Sequence, residues 1–157
     1  MDADQAKLEV SDLVTPRGVV AQLRAPTKRQ VLQELARRAA AATGIADKRL
    51  YEALVERERL GTTGIGSGVA IPHCRLPELT ALHGIFARLE KPIPYEAIDD
   101  QPVDLVFLLL APVDAGAEHL KALARVSRLL RDKATCEKLR GANSADALYA
   151  LLTESGT

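Results

Sequence analysis

An α/β fold, with a mixed β-sheet flanked by helices on both faces, follows from three features of the sequence. Runs with strand character and runs with helical periodicity interleave along the 157 residues, the pattern that layered α/β domains produce. One run, Val103–Leu110 (VDLVFLLL), is apolar on both faces apart from Asp104, as a strand covered on both sides must be. Hydrophobic residues make up 47% of the chain and aromatics only 3%, so the core is substantial and aliphatic. The length fits one compact domain, residues 1–157.

In chain order, Met1–Ala6 is polar and reads as loose. Leu8–Val14 is ambiguous, with Ser11 placed to cap a single helical turn before Thr15-Pro16. Gly18–Leu23 reads as a first strand. Thr27 and Gln30 match a capping box, and Val31, Leu32, Leu35, Ala36 and Ala39 then recur at helical spacing until Gly44. Asp47 is placed to cap a second helix with Leu50, Leu54 and Val55 inward, ended by Gly61.

Val69–Ile71 reads as a short strand and Leu82–Leu89 as an alternating one. In the latter, His83, Ile85, Ala87 and Leu89 share one side, and Gly84, Phe86 and Arg88 the other. Pro92 and Pro94 exclude a helix, and Asp99–Pro102 is a turn before the central strand. Leu120, Leu123, Ala124, Val126 and Leu130 mark a helix starting near His119. Asp132 caps a short helix stopped by Gly141, and Ser144 caps a last one through Leu152.

Composition excludes several function classes. Lys+Arg and Asp+Glu both number 21, so the basic footprint of a nucleic-acid binder is missing. Two cysteines, Cys74 and Cys136, read as reduced thiols of a cytoplasmic protein. No signal-peptide pattern opens the chain, and no apolar run approaches the roughly 20 residues needed to cross a bilayer. His73-Cys74 without a second ligand pair does not match a metal site.

The most unusual stretch is Gly61–Arg75, GTTGIGSGVAIPHCR. It lacks the Lys-Ser/Thr ending of a Walker loop, and it precedes a strand where a dinucleotide fingerprint follows one. The glycines alone fit a tight helix-to-strand connection. Thr62, Thr63, Ser67 and backbone N–H groups add the means to hold phosphate oxygens. His73 follows Pro72 at the end of the expected strand, and imidazole near neutrality is both a nucleophile and a leaving group. His119, at a helix N-terminus, is placed to donate to a phosphoryl group on His73; a solvent-facing first-turn histidine is an equally good reading. His83 reads as structural, Cys136 as packing and Arg59 as part of a solvated helix face.

Arg57-Glu58, Gly61–Gly66 (GTTGIG) and Gly68–His73 (GVAIPH) together resemble the signature of enzyme IIA proteins of the fructose/mannitol class of the bacterial phosphotransferase system, above all its nitrogen-regulatory branch. Ala97-Ile98-Asp99, Gln101–Leu105, Pro112, His119-Leu120, Asp132-Lys133 and Leu139-Arg140 extend the likeness over nearly the whole chain. Cys74 departs from it, standing where many relatives carry glycine.

The resemblance implies that His73 accepts a phosphoryl group, on Nε2, from a phosphohistidine of an HPr-like carrier protein. It implies that His119 stabilises the phosphoryl oxygens, and that Arg57, Thr63, Gly64 and Ser67 bind the phosphate, with no metal or cofactor. It further implies a regulatory output through targets such as potassium-transport components or sensor kinases. A sugar-specific component passing phosphate to a IIB partner, and a non-catalytic binding module with the same fold, are the alternatives.

Overall fold

The computed structural model describes residues 8–154, so the stretch Met1–Ala6 lies outside the described residues. The chain enters through two short 3-10 turns, Val10–Asp12 and Pro16–Gly18. Glu9, not Ser11, sits at the cap of the first: its N–H donates to Asp12 Oδ2 at 2.9 Å. Strand β1 is Val19–Leu23. Helix α1, Lys28–Thr43, begins as its capping residues dictate, with Thr27 Oγ1 accepting from the Gln30 N–H at 3.2 Å. It ends at Gly44, whose φ of 80° is the left-handed conformation that glycine adopts without strain.

Helix α2, Asp47–Leu60, is capped by Ala46, which has no side-chain acceptor. Asp47 is its first residue and acts from inside the first turn, where negative charge meets the positive helix end. After α2 come β2 (Gly64–Gly66), β3 (Val69–Ala70), β4 (His73–Leu76), β5 (His83–Ile93) and β6 (Val103–Pro112). Helices α3 (Ala117–Arg131), α4 (Lys133–Gly141) and α5 (Ala145–Glu154) complete the chain. Asp132 caps α4 by accepting from the Thr135 N–H, and Ser144 accepts from the Ala147 N–H ahead of α5.

The strands form one mixed sheet in the order β1-β5-β6-β3-β2, with β4 also on β6. β5 runs antiparallel to β6, while β3 and β4 run parallel to it. β3 and β4 hold one register: Val69 pairs with Leu105 and His73 with Leu109. They are a single strand interrupted at Pro72, flanked by β2 along β3 and at the sheet edge along β4; Pro72 has no N–H to give but its carbonyl still accepts from the Leu109 N–H at 2.9 Å. His73 therefore opens β4 instead of closing the strand before it. The sequence reading missed β2 and β4, both too short to show an alternating pattern.

β6 sorts its side chains by parity, as a strand covered on both faces must. Val106, Leu108 and Leu110 pack with Leu32 and Leu35 of α1 and Leu50 and Leu54 of α2. Leu105, Phe107 and Leu109 pack on the opposite face with Val126 and Leu130 of α3, Leu139 of α4 and Leu148 of α5. β5 divides the same way, Ile85, Ala87 and Leu89 against Phe86. No described helix is long and apolar enough to cross a membrane.

Candidate active site

His73 stands at the first position of edge strand β4, half-buried. Its Nδ1 lies 2.8 Å from the carbonyl oxygen of Ile71. A carbonyl only accepts, so Nδ1 carries the hydrogen and donates it, and the lone pair of the neutral ring sits on Nε2. Pro72, with its fixed φ, spans the two residues this bond joins. Burial holds the His73 pKa below its ordinary 6.5; the Ile71 bond works in the opposite direction, and the nearby Arg57 charge lowers it further. Near neutrality the ring is an uncharged nucleophile of fixed tautomer.

His119, in the first turn of α3, is only 4% exposed. Its ring centroid is 5.8 Å from that of His73, with the planes inclined by 56°. Both its ring nitrogens are buried without a hydrogen-bond partner among the described residues. Burial and the charges of His73 and Arg75 lower its pKa, so it too is neutral near pH 7. Neutral imidazole offers one donor and one acceptor, and here neither is used within the protein. The solvent-facing alternative for His119 is thus set aside by its burial.

The two rings border an open cleft of about 590 Å³, whose wall includes Arg49, Glu52, Arg57 and Arg75. Arg57 lies in the last turn of α2, where a cation complements the helix dipole. Its Nη1 donates to the carbonyl of Gly61 at 2.8 Å, holding the guanidinium beside the start of the glycine stretch. Arg59 pairs with Glu56 one turn back, both exposed, as a solvated face would.

Thr63, Gly64 and Ser67 are placed elsewhere, and none of them lines this cleft. The Thr63 N–H donates to Glu58 Oε1 at 3.1 Å, and its hydroxyl donates to Glu58 Oε2. The Gly64 N–H donates to Thr62 Oγ1 at 3.1 Å, and the Ser67 N–H to Asp99 Oδ2 at 2.9 Å. The N–H groups expected to cradle phosphate are already engaged. Ser67 also lies far along the sheet edge. Val69 and His73 face β6 residues four apart, Leu105 and Leu109, roughly 13 Å along a strand, and Ser67 precedes Val69.

The glycines serve the turn and its close contacts. Gly68 has a φ of 82°, and a Cβ there would strike the Arg140 guanidinium; at Gly64 it would come within 2.7 Å of the Ala97 side chain.

Glu58 enters the sequence reading only as a polar helix residue and as part of the family signature, with no role of its own. Its side chain is 8% exposed and pairs with Lys28 Nζ at 2.9 Å, with Thr63 and the buried Tyr95 hydroxyl completing its partners. This network clamps the end of α2, and so Arg57, to the chain beyond it. Cys74 borders the same cleft but packs into the core on the α1/α2 side of the sheet, where burial pushes its thiol up to about 11. It is protonated near neutrality and therefore a poor nucleophile.

The model of the phosphoenolpyruvate-dependent sugar phosphotransferase system EIIA 2 family matches residues 12–155. A nitrogen regulatory protein of Bradyrhizobium diazoefficiens is 53% identical over 145 residues, covering 92% of this chain and 95% of that protein. That of Escherichia coli is 37% identical over 156 residues, covering 99% and 96%. The crystal structure of nitrogen regulatory protein IIA-Ntr from Neisseria meningitidis superposes with a TM-score of 0.88 at 31% identity, covering 92% of this chain and 99% of that one. With the fold, the extent of the match and the identities in agreement, the chain belongs to the EIIA 2 family of the phosphotransferase system.

Proposed function

We propose that this chain is a one-domain phosphocarrier, residues 1–157, that accepts a phosphoryl group on Nε2 of His73 from a phosphohistidine of an HPr-like protein. Its phosphorylation state would then govern binding to regulatory targets, of which potassium-transport components and sensor kinases are the expected kinds. The observation that carries this reading is the histidine pair. One ring has its Nδ1–H tied to a carbonyl and Nε2 left nucleophilic, and 5.8 Å away a second ring has both nitrogens unpartnered. The regulatory output and the nitrogen branch are supported by the relatives described as nitrogen regulatory proteins.

The chemistry balances without a further reactant. The Nε2 lone pair of His73 attacks phosphorus in line as the donor's N–P bond breaks, and the donor imidazole leaves with that electron pair. The His73 ring, now bonded at Nε2 and still protonated at Nδ1, gains positive character, which the Ile71 carbonyl stabilises. His119 donates to a phosphoryl oxygen and Arg57 offsets the added negative charge across the cleft. The protein's contribution is positioning and charge stabilisation. Arg57, His73 and His119 form the proposed site; Thr63 supports it from behind, and Gly64 and Ser67 shape the hairpin.

Incubation with phosphoenolpyruvate, enzyme I and an HPr-like carrier tests this. Intact-mass analysis is expected to show one acid-labile phosphoryl group, absent in His73→Ala. A wild-type chain that stays unmodified would sink the carrier reading in favour of a binding module. Rapid onward transfer to a sugar-type IIB protein would replace the regulatory output with a sugar-specific one.

A further inference from the structure

A second cavity, of about 510 Å³, lies on the α1 side of the sheet, between the last turns of α1, the start of β5 and the turn before β1. Its base is aliphatic, with Ile85 of β5 and Leu108 of β6, and Ala42 stands exposed at its rim. Its charged lining is entirely basic. Among the described residues, Arg17 and Arg38 border it, His83 adds an imidazole, and no Asp or Glu does. The chain carries as many acids as bases, and the His73 cleft mixes Glu52 and Glu56 with its arginines, so this one-sided lining is particular to the second cavity.

Arg38 supplies the decisive detail. Its Nε is buried and has no hydrogen-bond partner among the described residues. A buried N–H without an acceptor is unfavourable, because folding has taken its water and given nothing back. A guanidinium edge is met best by a carboxylate, which accepts two parallel hydrogen bonds. An apolar base beneath a few convergent polar groups, at a volume between roughly 300 and 1,000 Å³, is the usual form of a small-molecule site. Phosphoryl transfer at His73 makes no use of any of these groups.

We infer that the Arg38–His83 cavity is a binding site for a small carboxylate with a short aliphatic body. The carboxylate meets the Arg38 guanidinium, and the aliphatic part lies on Ile85 and Leu108. Exposed Arg17 adds positive field at the mouth. This site is independent of the phosphocarrier reading and stands or falls without it.

The test is a titration of the isotope-labelled full chain with hexanoate, followed by amide and methyl NMR, with hexanol and hexylamine as uncharged and cationic controls. Saturable shifts are expected at Thr43, Gly84 and Ile85, with hexanoate at least roughly tenfold tighter than hexanol, the ratio that one charge-assisted hydrogen bond supplies. Arg38→Gln is expected to remove that preference and leave hexanol binding in place. Ala42→Leu, a change at the exposed rim that spares the core, is expected to weaken both by filling the mouth. The site is refuted if hexanoate gives no saturable shifts, if it binds no better than hexanol or hexylamine, or if Arg38→Gln keeps the wild-type preference while its spectrum stays folded.

Discussion

His73 and His83 lie against the same strand at nearly the same level. Leu109 of β6 pairs with His73 on one side, and Leu110 pairs with His83 on the other. Burial lowers the pKa of both. What separates them is company. His73 has its Nδ1 tied to Ile71, a second imidazole 5.8 Å away and a cleft that reaches Arg57. His83 faces a cavity with arginines but no second histidine. On the proposed reading, a neutral imidazole at a strand end is not enough for phosphoryl chemistry; a fixed tautomer and a second ring make the difference.

The largest effect that would break this comparison is at the two rings themselves. His73→Ala is expected to abolish phosphorylation by the HPr-like carrier, while His83→Gln leaves its rate within about twofold, a surface-sized effect. Equal rates in the two variants, read by intact mass over time, would overturn the assignment. Next comes His119→Ala. Loss of one donor to the developing charge slows acceptance by about 10²–10³-fold, measured by rapid quench; an unchanged rate would reduce His119 to a packing residue. Arg57→Gln is expected to act more weakly, about tenfold, since the side chain keeps its reach but loses its charge.

Acidification sharpens the comparison further. Acceptance needs neutral His73, and the lowered pKa keeps it neutral to a pH below 6.5. The rate is expected to hold from pH 8 to 6.5 and fall at lower pH, with a midpoint below that of free histidine. Stability follows the same sign. His73, His83 and His119 all have folded pKa values below 6.5, so the unfolded chain binds protons first. Stability contributed by the neutral rings is present above 6.5 and is lost as pH falls from 6.5 through the folded values. A melting temperature that rises between pH 7 and 5.5 would contradict this.

The smallest expected effects fall on the glycine stretch. Thr63→Val removes the hydroxyl bond to the Glu58 carboxylate, while Lys28, Tyr95 and the residue-63 N–H remain, and is expected to cost about 1–3 kcal/mol of stability, read by denaturant unfolding. Ser67→Ala removes a hydroxyl at the exposed hairpin tip and is expected to leave the phosphorylation rate unchanged. A large loss in Ser67→Ala would restore that residue to the phosphate site.

Much of the fold was legible because it depends on local rules. Thr27 with Gln30 and Gly44 mark both ends of α1, and the two-faced apolar run from Val103 marks the central strand. β2 and β4 escaped because strands this short carry no period; pairing with neighbours makes them strands. The candidate site was legible in its reactive members, since histidine, proline and arginine have few other reasons to stand in that order. The phosphate-binding reading of Thr63, Gly64 and Ser67 finds no support in their placement, and for a definite reason. Hydroxyls and glycine amides signal capacity to hold an anion, but Glu58, Thr62 and Asp99 already engage the N–H groups of Thr63, Gly64 and Ser67, from 5, 2 and 32 residues away in sequence.

The sequence by itself determined the α/β class, most of the helices and strands, the family likeness and the residue proposed to carry phosphate. These rest on periodicity, capping and residue chemistry, which act over a few positions. Only the tertiary structure decided which groups are free and which are spent. It left both nitrogens of His119 unpartnered, tied Nδ1 of His73, engaged the glycine-stretch amides and gathered arginines without acids around His83. Some of those partners are near in sequence, as Ile71 is to His73, and others far, as Asp99 is from Ser67; in either case a hydrogen bond or an ion pair is settled by position in space.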